Sequence, residues 1–533
     1  MHSSYLVTSQ SIVPKNSRDK IFQFSRSNKS IEGVSEFLRN NFSIDITTDT
    51  EIVKAYDHDW SNTEGRADAL CRPLNKLECS IVIILCNLLR IPITISAGRT
   101  NLTGSATPNG GIILSISRMK TIDKFDLENK NIVVSPGVYI EDIRNYVISE
   151  SKNNLIFPVD PTSRKEAMLG GAISCNASGF IPGDKGAMRY WIDSIELILS
   201  NGEMISASRG QYISENNEFI IQGSDGKQSK IIVPSYERPK IKNASGPFTG
   251  INGKVDFIDL IIGSEGIFGC ITSATLKLQD KPSDYLNLFI KLKNESEAFR
   301  FYDDINSYLS GKMSSLSGFE YFGKDCSSFM DNYEYFFNDI YSVGVYIQIP
   351  VYNIELDIII DQWHQVLTNL DYITEENQIV SLNDSNSWKI FFESRHSIPA
   401  NALHKSKQYN TASIITDTIV PPDSFKEFIA KTHILIQSKN IEYLLFGHLG
   451  DCHLHFHLIP DSSNEYIANK CYREIISLSA KLGGVYSAEH GTGKRKKMDF
   501  IECYGKSAAK QLKDCKISFD PNFIFNIGNV FDK

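Results

Sequence analysis

Residues Ser96–Ala106 read SAGRTNLTGSA, directly after the apolar run Pro92–Ser96, which predicts a strand. The stretch is crowded with small residues: Ala97, Gly98, Thr100, Thr103, Gly104 and Ser105. A loop of this kind exposes several backbone N–H groups and lets a pyrophosphate come close. Thr100, Asn101 and Thr103 add side-chain donors, and Arg99 adds a positive charge. Taken alone, the stretch reads equally well as an ordinary tight turn. It has company, however. Phe157–Gly179 (FPVDPTSRKEAMLGGAISCNASG) and Gly263–Gly269 (GSEGIFG) are also rich in small residues. Three such loops in one region point to one extended ligand wrapped by backbone.

Two familiar phosphate motifs are excluded. No G-x-G-x-x-G follows a strand and opens a helix. Gly491-Thr492-Gly493-Lys494 fails as a P-loop, because Ala488 stands where the first Gly belongs and Arg495 where Ser or Thr belongs.

Outward from the loop, Glu78–Leu89 and Tyr139–Ser149 predict helices, and Gly111–Ser115 a strand. Ile192–Leu199 and Glu203–Ser206 predict a hairpin about Asn201-Gly202. Segment 207–257 is polar and turn-rich and is expected to loop out. Asp259–Gly263 and Gly269–Leu278 predict strands. Past residue 283 the composition turns aromatic, as expected for a second α+β unit. Residues 1–30 are polar and Ser-rich and are expected to be loosely held; the expected organisation is an N-terminal lead over 1–44, a cofactor domain over 45–280, a cap domain over 281–480 and a closing segment over 481–533.

The chain has 533 residues, 41% hydrophobic and 22% charged, with a net charge of −8. This is ordinary for a globular protein with large cores. An acidic balance argues against nucleic acid as a partner. Lys494–Lys497 (KRKK) reads as a solvated helix end. No run reaches the ~20 apolar residues of a membrane span, and no signal pattern opens the chain. The expected location is cytoplasmic, with peripheral contact at an inner membrane left open. The ten cysteines form no C-x-x-C pair, so neither a disulfide framework nor an iron–sulfur module is expected.

Five of the 11 histidines fall in two short stretches, Gly447–Leu458 (GHLGDCHLHFHL) and Ser487–Gly493 (SAEHGTG). In a strand, His453, His455 and His457 share one face, with His448 just before a turn at Gly450-Asp451. Glu489 and His490 would complete a site. Neutral imidazoles with a carboxylate suit Zn²⁺ or another divalent transition ion, such as Mn²⁺.

These motifs resemble those of the FAD-linked oxidases and dehydrogenases, a family that includes D-lactate dehydrogenase, D-2-hydroxyglutarate dehydrogenase and the FAD subunit of glycolate oxidase. The resemblance rests on motifs in family order. They are Thr100–Gly104, Gly110–Ser115, Pro158–Ser163, Gly170–Gly179, Gly263–Gly266 with Ile271-Thr272, and Asp520–Gly528. It implies an α+β fold: a two-subdomain FAD-binding domain of the vanillyl-alcohol-oxidase type, an α+β substrate cap, and a C-terminal segment that returns to the FAD domain. It implies that Ala97, Gly98, Arg99, Thr100 and Asn101 hold the pyrophosphate of FAD. Pro136, Gly137, Asp160, Ser163, Gly170, Gly171, Asn176, Ala177, Ser178 and Gly179 would line the cofactor, with Glu265 and Gly266. Ile271 would meet the adenine side, and Asn526 would lie near the isoalloxazine. Arg99 and Ser105 stand where the family often has Gly.

On the family's G-H-x-G-D-G-N-x-H-x-N and G-E-H-G patterns, His448, His455 and Glu489 match metal ligands, and His490 matches the base. Cys452, His453, His457 and Ala488 are departures, and His457 is expected to add a ligand or reshape the substrate pocket. Within Trp388–Ile398, Arg395 matches the group that binds the substrate carboxylate, as a bidentate fork would. Pro399, with Ile415 or Thr416, replaces groups for a second carboxylate, which speaks against 2-hydroxyglutarate.

The implied activity is oxidation of a small D-2-hydroxy acid, lactate-like or glycolate-like. The metal would polarise the substrate, His490 would act as base, and hydride would pass to flavin N5. Electrons would leave to a quinone, a cytochrome, an electron-transfer flavoprotein or O₂. A homodimer is left open. Two other readings stand beside this one: an FAD transferase like alkylglycerone-phosphate synthase, and a flavoprotein subunit without catalysis of its own.

Overall fold

The computed structural model describes residues 4–250 and 252–532. Three sheets organise them, beside a two-stranded pairing of Leu155–Ile156 with Gln279–Asp280. The first is small, with strand order Ile46–Thr47, Ala69–Cys71, Ile112–Ser115, Ile93–Ser96. Its last three strands run parallel. Helix Lys76–Leu89 links Ala69–Cys71 to Ile93–Ser96; the Asn75 side chain caps it by accepting from the Glu78 N–H. Its face from Cys79 to Cys86 is buried, which fixes strand Ile93–Ser96 against a solid core. The loop at 97–106 therefore leaves from the carboxyl end of a parallel strand, where open α/β sheets place ligands.

The second sheet has eight strands, in the order Gln228–Ile232, Glu218–Gln222, Leu6–Ser11, Glu203–Ser208, Ile192–Ile198, Cys270–Lys277, Asn131–Val134, Ile122–Asp126. The expected hairpin about Asn201-Gly202 is present, with Met204 opposite Ile198.

Three expectations are corrected here. The lead is not loose: Leu6–Ser11 is an interior strand, parallel to Glu218–Gln222 and antiparallel to Glu203–Ser208. Segment 207–257 does not simply loop out, since it supplies the two strands at that edge. Asp259–Gly263 is not a strand, because Phe257–Ile261 is a short helix with four buried apolar residues, capped by Asp256.

The third sheet is antiparallel throughout and has seven strands, in the order Ile379–Ser381, Asp284–Leu292, Val343–Val351, Gly318–Phe322, Glu442–His448, His453–Ile459, Ile414–Ile415. One face packs on helices Glu295–Tyr308, Pro422–Gln437 and Glu465–Lys481, where Leu454, Phe456 and Leu458 join the core. The other face packs on helix Ser385–Gln408, with Leu444, Ile459, Phe391 and Ile398 in contact. By alternation, His453, His455 and His457 share that second face. Helix Lys497–Phe519 breaks at Gly505 (φ 83°). The chain then returns to the first sheet, where Phe525 bridges to Ile93. Among the described residues, no helix is long and apolar enough to cross a membrane.

Candidate active site

One cavity of about 470 Å³ runs along the three small-residue loops. It is lined by Ala97, Gly98, Arg99, Thr100 and Asn101 from the first loop. Asp160, Ser163, Gly170, Gly171, Ala177, Ser178 and Gly179 line it from the second, and Glu265, Gly266, Ile271 and Asn526 close it. Three expected positions do not line it. Pro136 stands behind Gly170, whose N–H donates to the Pro136 carbonyl. Gly137 packs against the backbone of Ile116 and Met119. Asn176 ends helix Leu169–Cys175 in the left-handed region (φ 50°), and its side chain accepts from the Arg189 N–H at 3.0 Å. These three shape the wall without facing the space.

The first loop is held by its own asparagine. Asn101 Oδ1 accepts from the N–H groups of Thr103 (2.8 Å) and Ser105 (3.0 Å). Gly98 is required as glycine, because a methyl group there would collide with the Glu166 carbonyl. Arg99 sits at φ 58° and turns its guanidinium over the Tyr56 ring at 4.2 Å. Glu265 is buried and accepts from Ser105 and from the N–H groups of Thr492 (2.6 Å) and Gly493 (2.7 Å). Burial raises its pKa. Asn526 ties strand Ile93–Ser96 to the Gly263–Gly269 loop: it accepts from the Ile95 N–H and donates to the Glu265 carbonyl. A long apolar-walled space, floored by glycines that admit no Cβ, fits a flavin dinucleotide.

At one end the same cavity meets His448, Glu489 and His490. His448 Nε2 lies 3.7 Å and His455 Nε2 3.6 Å from the Glu489 carboxylate. The donor atoms of His448, His455 and Glu489 all lie within 4.8 Å of one another. His455 Nδ1 faces the Thr416 carbonyl at 2.8 Å, which orients Nε2 toward Glu489. His448 Nδ1 is buried without a hydrogen-bond partner. This donor set, two imidazoles and a carboxylate, fits a divalent ion. Two further triads overlap it: Asp417 with His453 and His455, and Asp417 with Glu489 and His490. Burial opposes a charge on Glu489, yet Lys242 and His448 hold its carboxyl well below the usual range. Burial, with Lys496 and His455, lowers the His490 pKa against the pull of Asp417.

Two expected functional residues stand differently. His457 is buried and does not line the cavity, and neither ring nitrogen has a partner. It sits two residues beyond His455, roughly 7 Å further along the strand, between Leu444 and Ile415. Burial and His455 push its pKa down to about 4. Arg395 also lies outside the lining. Its Nε and Nη2 both donate to Glu320 at 2.6 Å, and its guanidinium stacks on Phe180. The bidentate face expected to meet a substrate is thus occupied, leaving Nη1.

Three charged residues were not anticipated. Buried Lys242 donates to Asp451 (3.3 Å) and Glu489 (3.2 Å). Glu320 pairs with Arg395 and lies 3.7 Å from His448. Asp417 is fully buried among Ser487, His453, His490 and Lys496. A lone acid inside Ile414–Val420 (IITDTIV) was a signal for Asp417; Lys242, in a polar stretch, offered none.

Comparison with known proteins bears on the same regions. Residues 67–208 match the FAD binding domain model, and residues 354–530 match the model of the FAD linked oxidases, C-terminal domain. The glycolate oxidase subunit GlcD of Bacillus subtilis (strain 168) is 26% identical over 478 residues, covering 88% of this chain and 90% of that protein. D-lactate dehydrogenase of Anaerostipes hadrus is 24% identical over 502 residues, covering 90% and 93%. The structure of p-cresol methylhydroxylase with substrate bound superposes with a TM-score of 0.66 at 16% identity, covering 98% of this chain and 99% of that one, which shows a shared fold.

Proposed function

The chain belongs to the FAD-linked oxidases, and on that premise we propose that it oxidises a small D-2-hydroxy acid, lactate-like or glycolate-like, to the 2-oxo acid. One observation carries the reading: the cavity lined by the dinucleotide loops opens directly onto His448, Glu489 and His490. Full-length relatives named for glycolate and D-lactate support it.

The loops at 97–101 and 170–179 would hold FAD, which when bound would supply a two-electron acceptor. His448, His455 and Glu489 would hold a divalent ion, Zn²⁺ or Mn²⁺ by donor type, and such an ion would supply polarisation of the hydroxyl and carboxylate. The protein's own groups do the rest. Burial favours the neutral form of His490, and its ring is the proposed acceptor of the hydroxyl proton. Its Nδ1 faces Asp417 at 3.6 Å and its Nε2 faces Glu489 at 3.8 Å, so the ring stands between two carboxylates. Asn101 Nδ2 donates to the His490 carbonyl at 3.3 Å, tying base to cofactor loop. Glu320 fixes the plane of the Arg395 guanidinium and leaves Nη1 as the donor not engaged by that pair. Phe180 and Pro399 narrow this end of the space.

The test is an anaerobic titration of the purified protein with glycolate, D-lactate, L-lactate and D-2-hydroxyglutarate, read at the visible flavin band. Each acid is run with and without prior chelation. Bleaching by the small D-acids that chelation abolishes supports the proposal. A flavoprotein bleached by none of them refutes it. A reoxidation screen with a quinone, cytochrome c, an electron-transfer flavoprotein and O₂ then names the acceptor.

A further inference from the structure

We propose that Asp417 is the positioning residue of this site, setting where Glu489 and His490 stand; the inference rests on the reading of His490 as proton acceptor. The stretch Ser487–Gly493 that carries both groups belongs to no helix and no strand of the sheets. Its shape must come from elsewhere, and Asp417 supplies it. Through its backbone, Asp417 pairs with Ser487 as an isolated parallel bridge, and its carbonyl accepts from the Ala488 N–H at 2.8 Å. Through its side chain it gathers the next residues. Oδ1 accepts from the Glu489 N–H at 3.2 Å, and Oδ2 from the His490 N–H at 2.9 Å. Oδ2 also accepts from the Ser487 hydroxyl at 2.6 Å, and that hydroxyl in turn accepts from the Gly491 N–H at 2.9 Å. Consecutive amides converging on one carboxylate form an anion nest built inside the chain.

The surroundings fix the carboxylate itself. Lys496 Nζ lies 3.2 Å from Oδ2 and His453 Nε2 3.2 Å from Oδ1. Asp417 and His453 are fully buried, so no water competes for these contacts. Asp417 thus stands between strand His453–Ile459, which holds His455, and the stretch that holds Glu489 and His490, and it is to that stretch that its hydrogen bonds run, since neither ring nitrogen of His453 makes one. An asparagine could accept on one side only, and its amide would face N–H groups on the other. One member of the nest would be released, and the His490 ring would move with it.

The experiment compares the parent holoprotein with Asp417→Asn in two readouts. Anaerobic stopped-flow measures flavin reduction by D-lactate. Hydrogen–deuterium exchange follows the amides of residues 487–493 and needs neither substrate nor metal. The expected result is unchanged flavin content, a reduction rate lower by roughly a hundredfold at saturating acid, and exchange in 487–493 faster by about tenfold. Unchanged exchange in that segment, or a reduction rate within about threefold of the parent, overturns the proposal. A merely structural role would instead lower flavin content and melting temperature with the rate per bound flavin preserved, which also overturns it. If no 2-hydroxy acid reduces the parent, the functional reading fails, and the exchange result alone decides the role of Asp417. Should Asp417→Asn leave Lys496 too exposed electrically to fold, Asp417→Asn/Lys496→Met removes both charges and carries the same expectations.

Discussion

The Ser178 hydroxyl donates to the Glu489 carboxylate across 3.2 Å, joining two residues 311 positions apart. Ser178 lines the dinucleotide space, and Glu489 stands where that space meets the histidines. A second contact, from the Lys242 ammonium at 3.2 Å, holds the same carboxylate oxygen. Cofactor wall and candidate metal site are therefore one rigid assembly.

Ser178→Ala removes one of these supports and leaves the ligand atoms in place. The expected outcome is about tenfold weaker divalent-ion binding, the usual cost of losing an outer partner. Calorimetric titration with Zn²⁺ and Mn²⁺ checks it, with flavin content as the control. Unaltered affinity would show that Ser178 does not orient Glu489.

Gly98 lies against the Glu166 carbonyl with no room for a methyl group. Gly98→Ala must shift the loop, and the protein is expected to lose most of its flavin while keeping its far-ultraviolet circular dichroism. The ratio of visible to ultraviolet absorbance after gel filtration measures this.

Arg395→Met strands Glu320, which is 3% exposed. An uncompensated buried carboxylate costs about 3 kcal/mol. Urea unfolding should show that loss, and Arg395→Met/Glu320→Gln should recover most of it. If instead the single change is stability-neutral and raises only the KM for acid, the pair is not structural.

His457 makes stability depend on pH. Its pKa in the folded protein is about 4, below the ~6.5 of an exposed histidine. Above pH ~6.5 neither state is charged, and its contribution is fully present. As pH falls toward 4 the unfolded chain binds a proton that the native ring refuses, so stability is lost by about 3 kcal/mol. Urea midpoints should fall across that window in the parent and fall less steeply in His457→Leu.

The loops were legible because a glycine's conformational need is local, and so is the alternation that puts His453, His455 and His457 on one face. What sequence hid was long-range. Arg395 was found by pattern, but its partner Glu320, on strand Gly318–Phe322, appears only when the sheet forms. Lys242 reaches Glu489 from a polar stretch that looked like an excursion. Leu6–Ser11 reads as polar because only Val7 and Ser9 of the strand are buried. Phe257–Ile261 is too short and too apolar for its period to separate helix from strand.

The proposed activity requires a flavin that a D-2-hydroxy acid reduces at this cavity. The most direct measurement is single-turnover mixing of the yellow protein with D-lactate under argon, with the flavin band and pyruvate followed together, and with D-lactate deuterated at C2 in parallel. For the proposed activity, bleaching, one pyruvate per flavin and slower bleaching with the deuterated acid are expected. A flavin that stays oxidised, with no pyruvate formed from D-lactate and no 2-oxo acid from glycolate, would contradict it.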